Sequence, residues 1–333
     1  MFLIKFIFRF IKYLILALFY LWTIGAVYYL SFMPDSLRTA VMWIFIVLIP
    51  LILIVFRKKN YGYLLVLFIC LVIAAYYKFQ TASNIGDWQT SWAVMPTATI
   101  SGDEVSIKNI RDFQYRTEND FTPHYYDKTY NLNDLESLYV IFSYWDGNKS
   151  IAHTILSFGF KGPSYLCVSV ETRLKKGQVQ GGIEGLYNQY GLIYILADEN
   201  DVLKLRTNYR REDVYMYQLK IKNKELLRAF FLSVIEKANS LNDKPQFYNT
   251  LEDNCFTSLL SNLRRTTGER MPFDYKYICN GYADKLLYDR GNFVTEGETS
   301  FAEFKKKHYI NQYIKADTDS ENYSSEIRQF EKK

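Results

Sequence analysis

Three long runs without a charged side chain lie near the N-terminus and restrict what this chain can fold into. They cover residues 13–32, 39–56 and 61–77. A helix of about 20 apolar residues crosses the hydrocarbon core of a bilayer. The sequence therefore predicts three transmembrane helices within residues 1–78 and an integral membrane protein. The first run is too long for a cleaved signal peptide, and further runs follow it.

Basic residues indicate which ends of these helices face the cytoplasm. They are Lys5, Arg9 and Lys12 before the first run, and Arg57, Lys58 and Lys59 between the second and third. Because short loops rich in Lys and Arg stay in the cytoplasm, we predict a cytoplasmic N-terminus and an outer location for everything beyond Lys78. In a Gram-negative bacterium, this describes a multi-pass protein of the inner (cytoplasmic) membrane with a periplasmic C-terminal domain.

The positive net charge belongs to the membrane segment. Eight of the 40 Lys and Arg residues lie within residues 1–78, where the single acidic residue is Asp35. The remainder of the chain carries 32 basic and 34 acidic residues. A nucleic-acid-binding surface must neutralise phosphates with basic side chains. The nearly neutral outer part therefore argues against a nucleic-acid partner.

The outer part is predicted to be one α+β domain at residues 88–312, after a linker at 79–87 and before a mobile polar tail at 313–333. Segments rich in β-branched and aromatic residues predict strands at Glu104–Ile110, Leu138–Trp145, Ile151–Phe160, Tyr165–Thr172, Leu192–Leu196 and Val214–Leu219. Helical spacing of apolar residues predicts a helix at Lys224–Leu241. Because strands precede helices, we expect a mainly antiparallel sheet.

A further helix is expected to begin at Asn254, a good N-cap, and to end near Arg265, before Gly268. Cys255 would then lie in its first turn, where unpaired backbone N–H groups and the helix dipole favour a thiolate. These N–H groups could also stabilise an oxyanion. We therefore predict Cys255 as a nucleophile. It could instead be a small buried apolar residue, or it could form a disulfide with Cys279.

A cysteine nucleophile needs a base, and of the histidines at 124, 153 and 308 only His153 lies in a predicted strand. A hairpin centred on Gly162, within a Gly-Pro turn, would place Glu171 opposite His153, where its carboxylate could orient the imidazole. The alternatives are a core histidine bonded to the backbone and a solvated glutamate.

Other polar features carry weaker signals. Lys175 and Lys176 look like a solvated loop, and the arginines at 206, 210 and 211 could bind a phosphate headgroup or form surface ion pairs. The scattered cysteines and histidines match no zinc spacing, and no glycine-rich phosphate loop occurs. We expect no metal and no cofactor. Whether Cys167 and Cys279 pair stays open.

A set of motifs in the outer domain resembles the Lnb periplasmic domain family, in order and content. They are RDFQYR from Arg111, IAHTILSF around His153, SVETR around Glu171, YRREDVYMYQL from Tyr209, YNTLEDNCFTSL around Cys255 and NGYADKLLYDRG from Asn280. Each motif alone is weak, but the combination is specific. The resemblance covers most of the chain between Trp88 and Phe293.

The resemblance implies a circularly permuted papain-like fold, related to NlpC-type peptidases, with His153 and Cys255 at the matching catalytic positions. The named member of the family is a bacterial lipoprotein N-acyltransferase. The implied reaction moves an acyl chain from a membrane phospholipid to a lipoprotein N-terminus. In that member the periplasmic domain precedes the membrane helices, whereas here three spans come first, so a shared acceptor does not follow.

Two other functions fit the same residues. Cys255 and His153 could hydrolyse a peptidoglycan amide or a lipid ester, since transfer and hydrolysis differ only in the second nucleophile. The outer domain could also be a non-catalytic membrane-anchored binding module with a structural Cys255.

Overall fold

The computed structural model describes residues 2–56, 60–145, 147–269, 272, 274–298, 300–314 and 322–332. The chain divides into two compact units. The first comprises residues 1–82 together with 181–189, and the second comprises residues 83–180 and 190–333. The basic residues at 57–59, on which part of the predicted orientation depends, lie outside the described residues.

The first unit contains three long helices, α1 (Phe2–Tyr28), α2 (Asp35–Val55) and α3 (Tyr61–Phe79). Each is long and apolar enough to cross a bilayer. The first helix begins and ends earlier than the predicted run at 13–32, because the apolar residues between Lys5, Arg9 and Lys12 continue the helix towards the N-terminus. The other two helices lie where the sequence predicts them.

The loop at 181–189 packs within the first unit. Tyr187 is buried in a cluster with Ala26 and Tyr77, and its hydroxyl donates to the carbonyl of Trp22 at 3.2 Å. Gly25 faces the same ring, and a Cβ there would lie 2.1 Å from the Tyr187 hydroxyl. Glycine at this position therefore allows the tyrosine to lie directly on the backbone of α1.

The second unit is built on a sheet. Its strands are β1 (Thr97–Ser101), β2 (Glu104–Arg111), β3 (Gln114–Tyr115), β4 (Phe121–Thr122), β5 (Tyr125–Asn131), β6 (Leu135–Tyr144), β7 (His153–Phe160), β8 (Ser164–Arg173), β9 (Gly191–Ala197) and β10 (Asp213–Gln218). Within the described residues, eight of them form one sheet in the order β1-β2-β9-β8-β7-β6-β10, with β5 also paired to β2. All these pairs are antiparallel except β2 with β9.

The helices of the second unit are α4 (Glu199–Lys204), α5 (Lys224–Asp243), α6 (Cys255–Thr267), α7 (Ala283–Asp289), α8 (Phe301–Lys307) and α9 (Tyr323–Glu326). The predicted α+β class with a mainly antiparallel sheet is confirmed. The six predicted strands and both predicted helices are present with end shifts of a few residues. Strands β1, β3, β4 and β5 were not predicted, because they are short or polar.

The two faces of the sheet carry separate cores. On one face, Leu156 of β7 and Val168 of β8 are buried in one cluster with Phe231 of α5 and Phe256 of α6. On the other face, Ile155, Cys167 and Ile195 are buried with Val202 of α4 and with the C-terminal segment. Side chains alternate between faces along a strand, so the even positions of β7 and β8 meet α5 and α6.

The prediction of a mobile tail is wrong for the described residues 322–332. Tyr323, Ile327 and Phe330 are buried in the second core, since their spacing places them on one side of a helical segment. Arg328 is also buried, and its guanidinium donates to both carboxylate oxygens of Glu199 at 2.8 and 2.6 Å. Because most residues of this segment are polar, the sequence analysis did not recognise the apolar residues that share one side of it. Residues 315–321 and 333 of the predicted tail lie outside the described residues.

Candidate active site

Cys255 is the first residue of α6, and the preceding Asn254 caps the helix. The Asn254 side chain accepts hydrogen bonds from the backbone N–H groups of Phe256 and Thr257, both at 2.9 Å. In return, the Thr257 hydroxyl accepts from the Asn254 N–H at 2.9 Å, which completes a capping box. The local sequence Asn-Cys-Phe-Thr therefore fixes the start of the helix and the position of the thiol.

The Cys255 sulfur lies against the main chain at the start of β7. The N–H of Thr154 donates to Sγ at 3.4 Å, and Sγ lies 3.8 Å from the carbonyl oxygen of Ala152. The side-chain amide of Asn280 donates to Sγ at 3.3 Å. The Asn280 oxygen also accepts from the Ala152 N–H at 3.0 Å. The sulfur thus contacts the main chain of the residues just before and just after His153, and it lies next to two N–H donors.

Burial and hydrogen bonding act on this thiol in opposite directions. Burial raises the pKa of Cys255, whereas the donors from Thr154 and Asn280 favour the thiolate and lower it. Burial has the larger effect, so the pKa lies above its ordinary value. The resting site therefore holds a protonated thiol at neutral pH.

His153 and Glu171 are connected through Ser169. The predicted hairpin register is confirmed by the pairing of Ile155 with Ser169 across β7 and β8. His153 Nε2 lies 2.7 Å from Ser169 Oγ, which donates to Glu171 Oε1 at 2.7 Å. The direct distance from Nε2 to Oε1 is 3.8 Å. Glu171 therefore reaches the imidazole through a serine that the sequence analysis did not single out.

This chain of hydrogen bonds determines the imidazole tautomer. The Ser169 hydroxyl has one proton and gives it to Glu171, so it accepts the proton on His153 Nε2. Nδ1 then carries the lone pair in the neutral ring. Within the described residues, no hydrogen bond to Nδ1 is present. The basic nitrogen is consequently the one nearer the main chain.

Charges around Glu171 keep the carboxylate ionised and the imidazole neutral. Burial opposes ionisation of Glu171, but Arg206 and Arg111 outweigh it and lower its pKa. Trp92 Nε1–H donates to Glu171 Oε2 at 2.7 Å. Burial and repulsion by Arg206 together lower the pKa of His153 to about 3, despite the attraction of Glu171. His153 is therefore an uncharged base at neutral pH.

The structure brings His153 and Cys255 to the same strand end without joining them. His153 shares its sheet face with Ile155 and Ser169, whereas α6 packs on the other face. In the described part of the chain, no hydrogen bond connects the imidazole with Sγ. Because Sγ contacts the main chain on both sides of His153, a rotation of the imidazole that brings Nδ1 towards the sulfur is the movement that a proton transfer would require.

None of the described hydrogen bonds of Cys255 Sγ involves another cysteine or a histidine, although Cys279 is next to Asn280 in the chain. All four cysteines are free, so neither Cys255 nor Cys167 forms a disulfide with Cys279. His124 is exposed beside Asp112, and His308 is buried with Nδ1 2.8 Å from the carbonyl of Phe304. Among the residues that the structure describes, no group of three or more His, Cys, Asp or Glu side chains could hold a metal ion.

The sequence analysis identified the reactive candidates but missed the residues that position them. Ser169 could have been found, because it lies two positions before Glu171 in a strand and must share its face. Arg206 was read as a phosphate ligand or a surface ion pair, but it is buried and lies 3.4 Å from Glu171. Asn280 comes from a distant turn, and only the family motif around it gave a signal.

Several exposed apolar side chains belong to the loops that carry the contacts of the thiol. They are Ile151, Leu251, Tyr275, Ile278 and Tyr282. The N–H of Gly281 donates to the carbonyl of Ser150 at 3.0 Å, and a Cβ on this glycine would lie 2.3 Å from the carbonyl of Lys149. The loop before β7 thus packs directly on the turn that carries Asn280, which groups Ile151 with the apolar residues of that turn.

Part of the chain is similar to a known protein family. The family described as the Lnb N-terminal periplasmic domain matches residues 121–281, which include His153, Glu171, Cys255 and Asn280. No curated protein and no solved structure matches the chain. Together with the three apolar helices, the match identifies a membrane protein with a periplasmic domain.

Proposed function

We propose that this membrane-anchored protein is a cysteine-dependent acyltransferase, because residues 121–281 match the Lnb N-terminal periplasmic domain family. Cys255 is the nucleophile, a membrane phospholipid is the acyl donor, and the N-terminus of a lipoprotein is the acceptor. The protein lies in the inner membrane of a Gram-negative cell, with its N-terminus in the cytoplasm. No metal or cofactor takes part.

The position of Cys255 carries this proposal. Its sulfur lies at the start of a capped helix and receives N–H donors from Thr154 and Asn280. This arrangement stabilises a negative sulfur once a base has taken its proton. The strand with His153 precedes the helix with Cys255, which supports the circularly permuted papain-like plan.

In the acylation half-reaction, the His153 ring turns so that Nδ1 takes the proton of the Cys255 thiol. The thiolate attacks the ester carbonyl of the phospholipid and forms a C–S bond, while the carbonyl electron pair moves to oxygen. The oxyanion collapses and the C–O bond breaks. The leaving lysophospholipid alkoxide takes the proton from Nδ1, and a thioester remains on Cys255.

In the second half-reaction, the amine of the acceptor attacks the thioester. His153 Nδ1 takes the proton that the amine loses, the C–S bond breaks, and an amide forms while the thiolate leaves. Proton return from His153 restores the thiol. Because Ser169 and Glu171 select the Nε2–H tautomer in the resting ring, Nδ1 is the nitrogen that serves as both base and acid.

The surroundings of the thiol favour a lipid over a cell-wall substrate. The exposed side chains of Ile151, Leu251, Ile278 and the two tyrosines at 275 and 282 belong to the loops next to Ala152, Asn254 and Asn280 in the chain. Exposed apolar side chains suit acyl chains and the interfacial region of a bilayer, where tyrosine is enriched. A glycan–peptide substrate would instead require hydrogen-bonding groups around the thiol.

The reaction itself tests this proposal. The full-length protein is placed in phospholipid vesicles whose acyl chains are isotopically labelled, together with a synthetic lipopeptide that carries a diacylated N-terminal cysteine. Mass spectrometry then follows the label. Cys279→Ser is the matched control, since Cys279 is a partly exposed thiol in the same domain. Transfer of label to the lipopeptide amine by the wild type and by Cys279→Ser, but not by Cys255→Ser, supports the proposal.

Two other results contradict the proposal. Release of labelled fatty acid to water without labelled lipopeptide would identify a hydrolase. Absence of both products, with wild type and Cys255→Ser indistinguishable, would favour a binding module.

A further inference from the structure

Asn280 holds its side-chain amide in a single orientation towards the reactive sulfur. Its oxygen accepts from the Ala152 N–H at 3.0 Å, so its NH₂ group must point to the other side, where it donates to Cys255 Sγ at 3.3 Å. Asn280 is buried. A buried amide whose flip state is fixed by a backbone donor is a preorganised hydrogen-bond donor.

Three backbone donors in the first turn of α6 already have partners in the helix cap. The N–H groups of Phe256 and Thr257 both donate to the Asn254 side chain, and the N–H of Ser258 donates to the Asn254 carbonyl. These groups satisfy the helix cap. The N–H of Phe256 also acts on the Cys255 thiol and favours its thiolate, so donors from outside α6 would act beside it on an oxyanion next to Sγ.

We propose that Asn280 is a catalytic residue whose side-chain amide, together with the Thr154 N–H, forms the oxyanion hole for acyl transfer at Cys255. The inference rests on the proposed function and deepens it. Sulfur and oxyanion are bonded to the same carbon in the tetrahedral intermediate, so the oxygen lies beside Sγ. The two donors that bind Sγ in the resting enzyme, at 3.3 and 3.4 Å, lie within reach of that oxygen.

The movement of negative charge during the reaction is consistent with this role. As the C–S bond forms, the π pair of the carbonyl moves to oxygen, and the negative charge leaves the sulfur. The donors of Asn280 and Thr154 can follow the charge from sulfur to oxygen with small movements. When the intermediate collapses, the electron pair returns to carbon and the ester C–O bond breaks.

Asn280→Asp and Asn280→Ala separate this role from a structural one. The aspartate keeps an oxygen that can accept from the Ala152 N–H but loses the NH₂ donor, and the alanine removes the donor without adding charge. Asn262→Asp is the matched control. Asn262 is a buried amide on α6 that donates to the Tyr194 hydroxyl at 3.0 Å.

The experiment compares two reactions of Cys255 in the full-length protein in detergent. Acylation is followed with p-nitrophenyl butyrate as the burst of p-nitrophenolate, and alkylation is followed with iodoacetamide, whose reaction passes through no oxyanion. Both rates are measured across pH. We expect the Asn280 variants to lower the acylation rate by about 10²–10³-fold. We expect the rate at which the ionised thiolate is alkylated to change much less. For Asn262→Asp, we expect both rates to equal those of the wild type.

The outcomes separate this inference from the proposed function. If both Asn280 variants show a burst as fast as that of the wild type, the role of Asn280 is overturned and the nucleophile is unaffected. The same holds if the acylation rate falls only as much as the alkylation rate does. A wild-type protein that shows no burst overturns the proposed acyl transfer itself, and this inference with it.

Discussion

At Cys255 and His153, burial favours the uncharged form of each side chain. It raises the pKa of the thiol and lowers the pKa of the imidazole to about 3. A thiolate–imidazolium pair is therefore not the resting state of this site. In the proposed reaction the charged pair would form only when substrate binds, and the hydrogen-bond donors around Sγ would stabilise this transient charge.

The buried neutral His153 predicts that the protein loses stability in acid. The unfolded chain binds a proton at His153 near pH 6.5, but the folded protein does so only near pH 3. Stability from this group is thus complete above pH 6.5 and declines as the pH falls towards 3. Thermal unfolding in detergent between pH 7.5 and 4.5 measures the effect. We expect His153→Gln, which cannot titrate, to lose less stability than the wild type over this range.

Equal acid sensitivity in the wild type and in His153→Gln would contradict the assignment of His153 as a buried neutral base.

Ser169 predicts a positioning effect on catalysis. Without its hydroxyl, Nε2–H loses the partner that fixes the tautomer, and the lone pair can move to the wrong nitrogen. We expect Ser169→Ala to lower the acylation rate by about 10–100-fold, with a stability cost of about 1 kcal/mol. Ser169→Thr, which keeps the hydroxyl, should recover much of the rate.

The exposed serine at 106 is the matched control for Ser169, because Ser106→Ala removes a strand hydroxyl far from the site. The readout is the pH profile of acylation, which a purely structural defect would lower at all pH values equally. A Ser169→Ala enzyme with the wild-type rate and profile would exclude a positioning role.

Residue-scale prediction from sequence succeeded where the signal is local. Asn254 before Cys255 is a helix start that short-range propensity reveals, and the β7–β8 register follows from the turn at Gly162. The contacts of Asn280 with Cys255 and of Trp92 with Glu171 join residues far apart in sequence. Such contacts depend on how separate elements pack, and the periodicity of apolar residues along the chain does not predict this packing.

At the scale of elements, α6 was predicted closely because both of its ends carry strong signals. Asn254 caps its start, and Gly268 ends it with φ of 67°, a left-handed conformation that glycine adopts without strain. The C-terminal segment was misjudged. Its charge and serine content suggested mobility. Three of its apolar side chains and one arginine are nevertheless buried where the segment packs on the second core.

The buried pair of Arg328 and Glu199 predicts a large effect on stability. Removal of one partner leaves an uncompensated buried charge, so Arg328→Ala should cost about 3–5 kcal/mol. Thermal or chemical unfolding of the full chain checks this value. The double variant Arg328→Met with Glu199→Gln should recover part of the loss, since neither group is then charged.

An exposed pair provides the comparison for this prediction. Arg116 and Asp120 form an ion pair on the surface, and Arg116→Ala should leave the free energy of unfolding almost unchanged. If Arg328→Ala is no more destabilising than Arg116→Ala, the C-terminal segment does not contribute to the folded core.

For the whole molecule, the positions of basic residues and the three long apolar helices predict the membrane topology. With an N-terminus in the cytoplasm, three crossings would place the residues after Phe79 in the periplasm. Ile85, 89% exposed, is a suitable reporter position. In intact spheroplasts, we expect a membrane-impermeant maleimide to label Ile85→Cys in a Cys279→Ser background, and a protease-sensitive tag at the N-terminus to remain uncut until the membrane is opened.

The reverse pattern would contradict this topology. A tag cleaved in intact spheroplasts, with position 85 labelled only after lysis, would place the domain in the cytoplasm. The unsubstituted Cys279→Ser protein provides the background for the label.

The central claim is that Cys255 carries the acyl group, and a trapped intermediate tests it most directly. The full-length protein is incubated with labelled phospholipid and no acceptor, and its intact mass is measured before and after hydroxylamine. We predict one added acyl chain on Cys255, removed by hydroxylamine and absent from Cys255→Ser. An unmodified Cys255 under conditions in which the wild type still transfers the acyl chain would contradict the account.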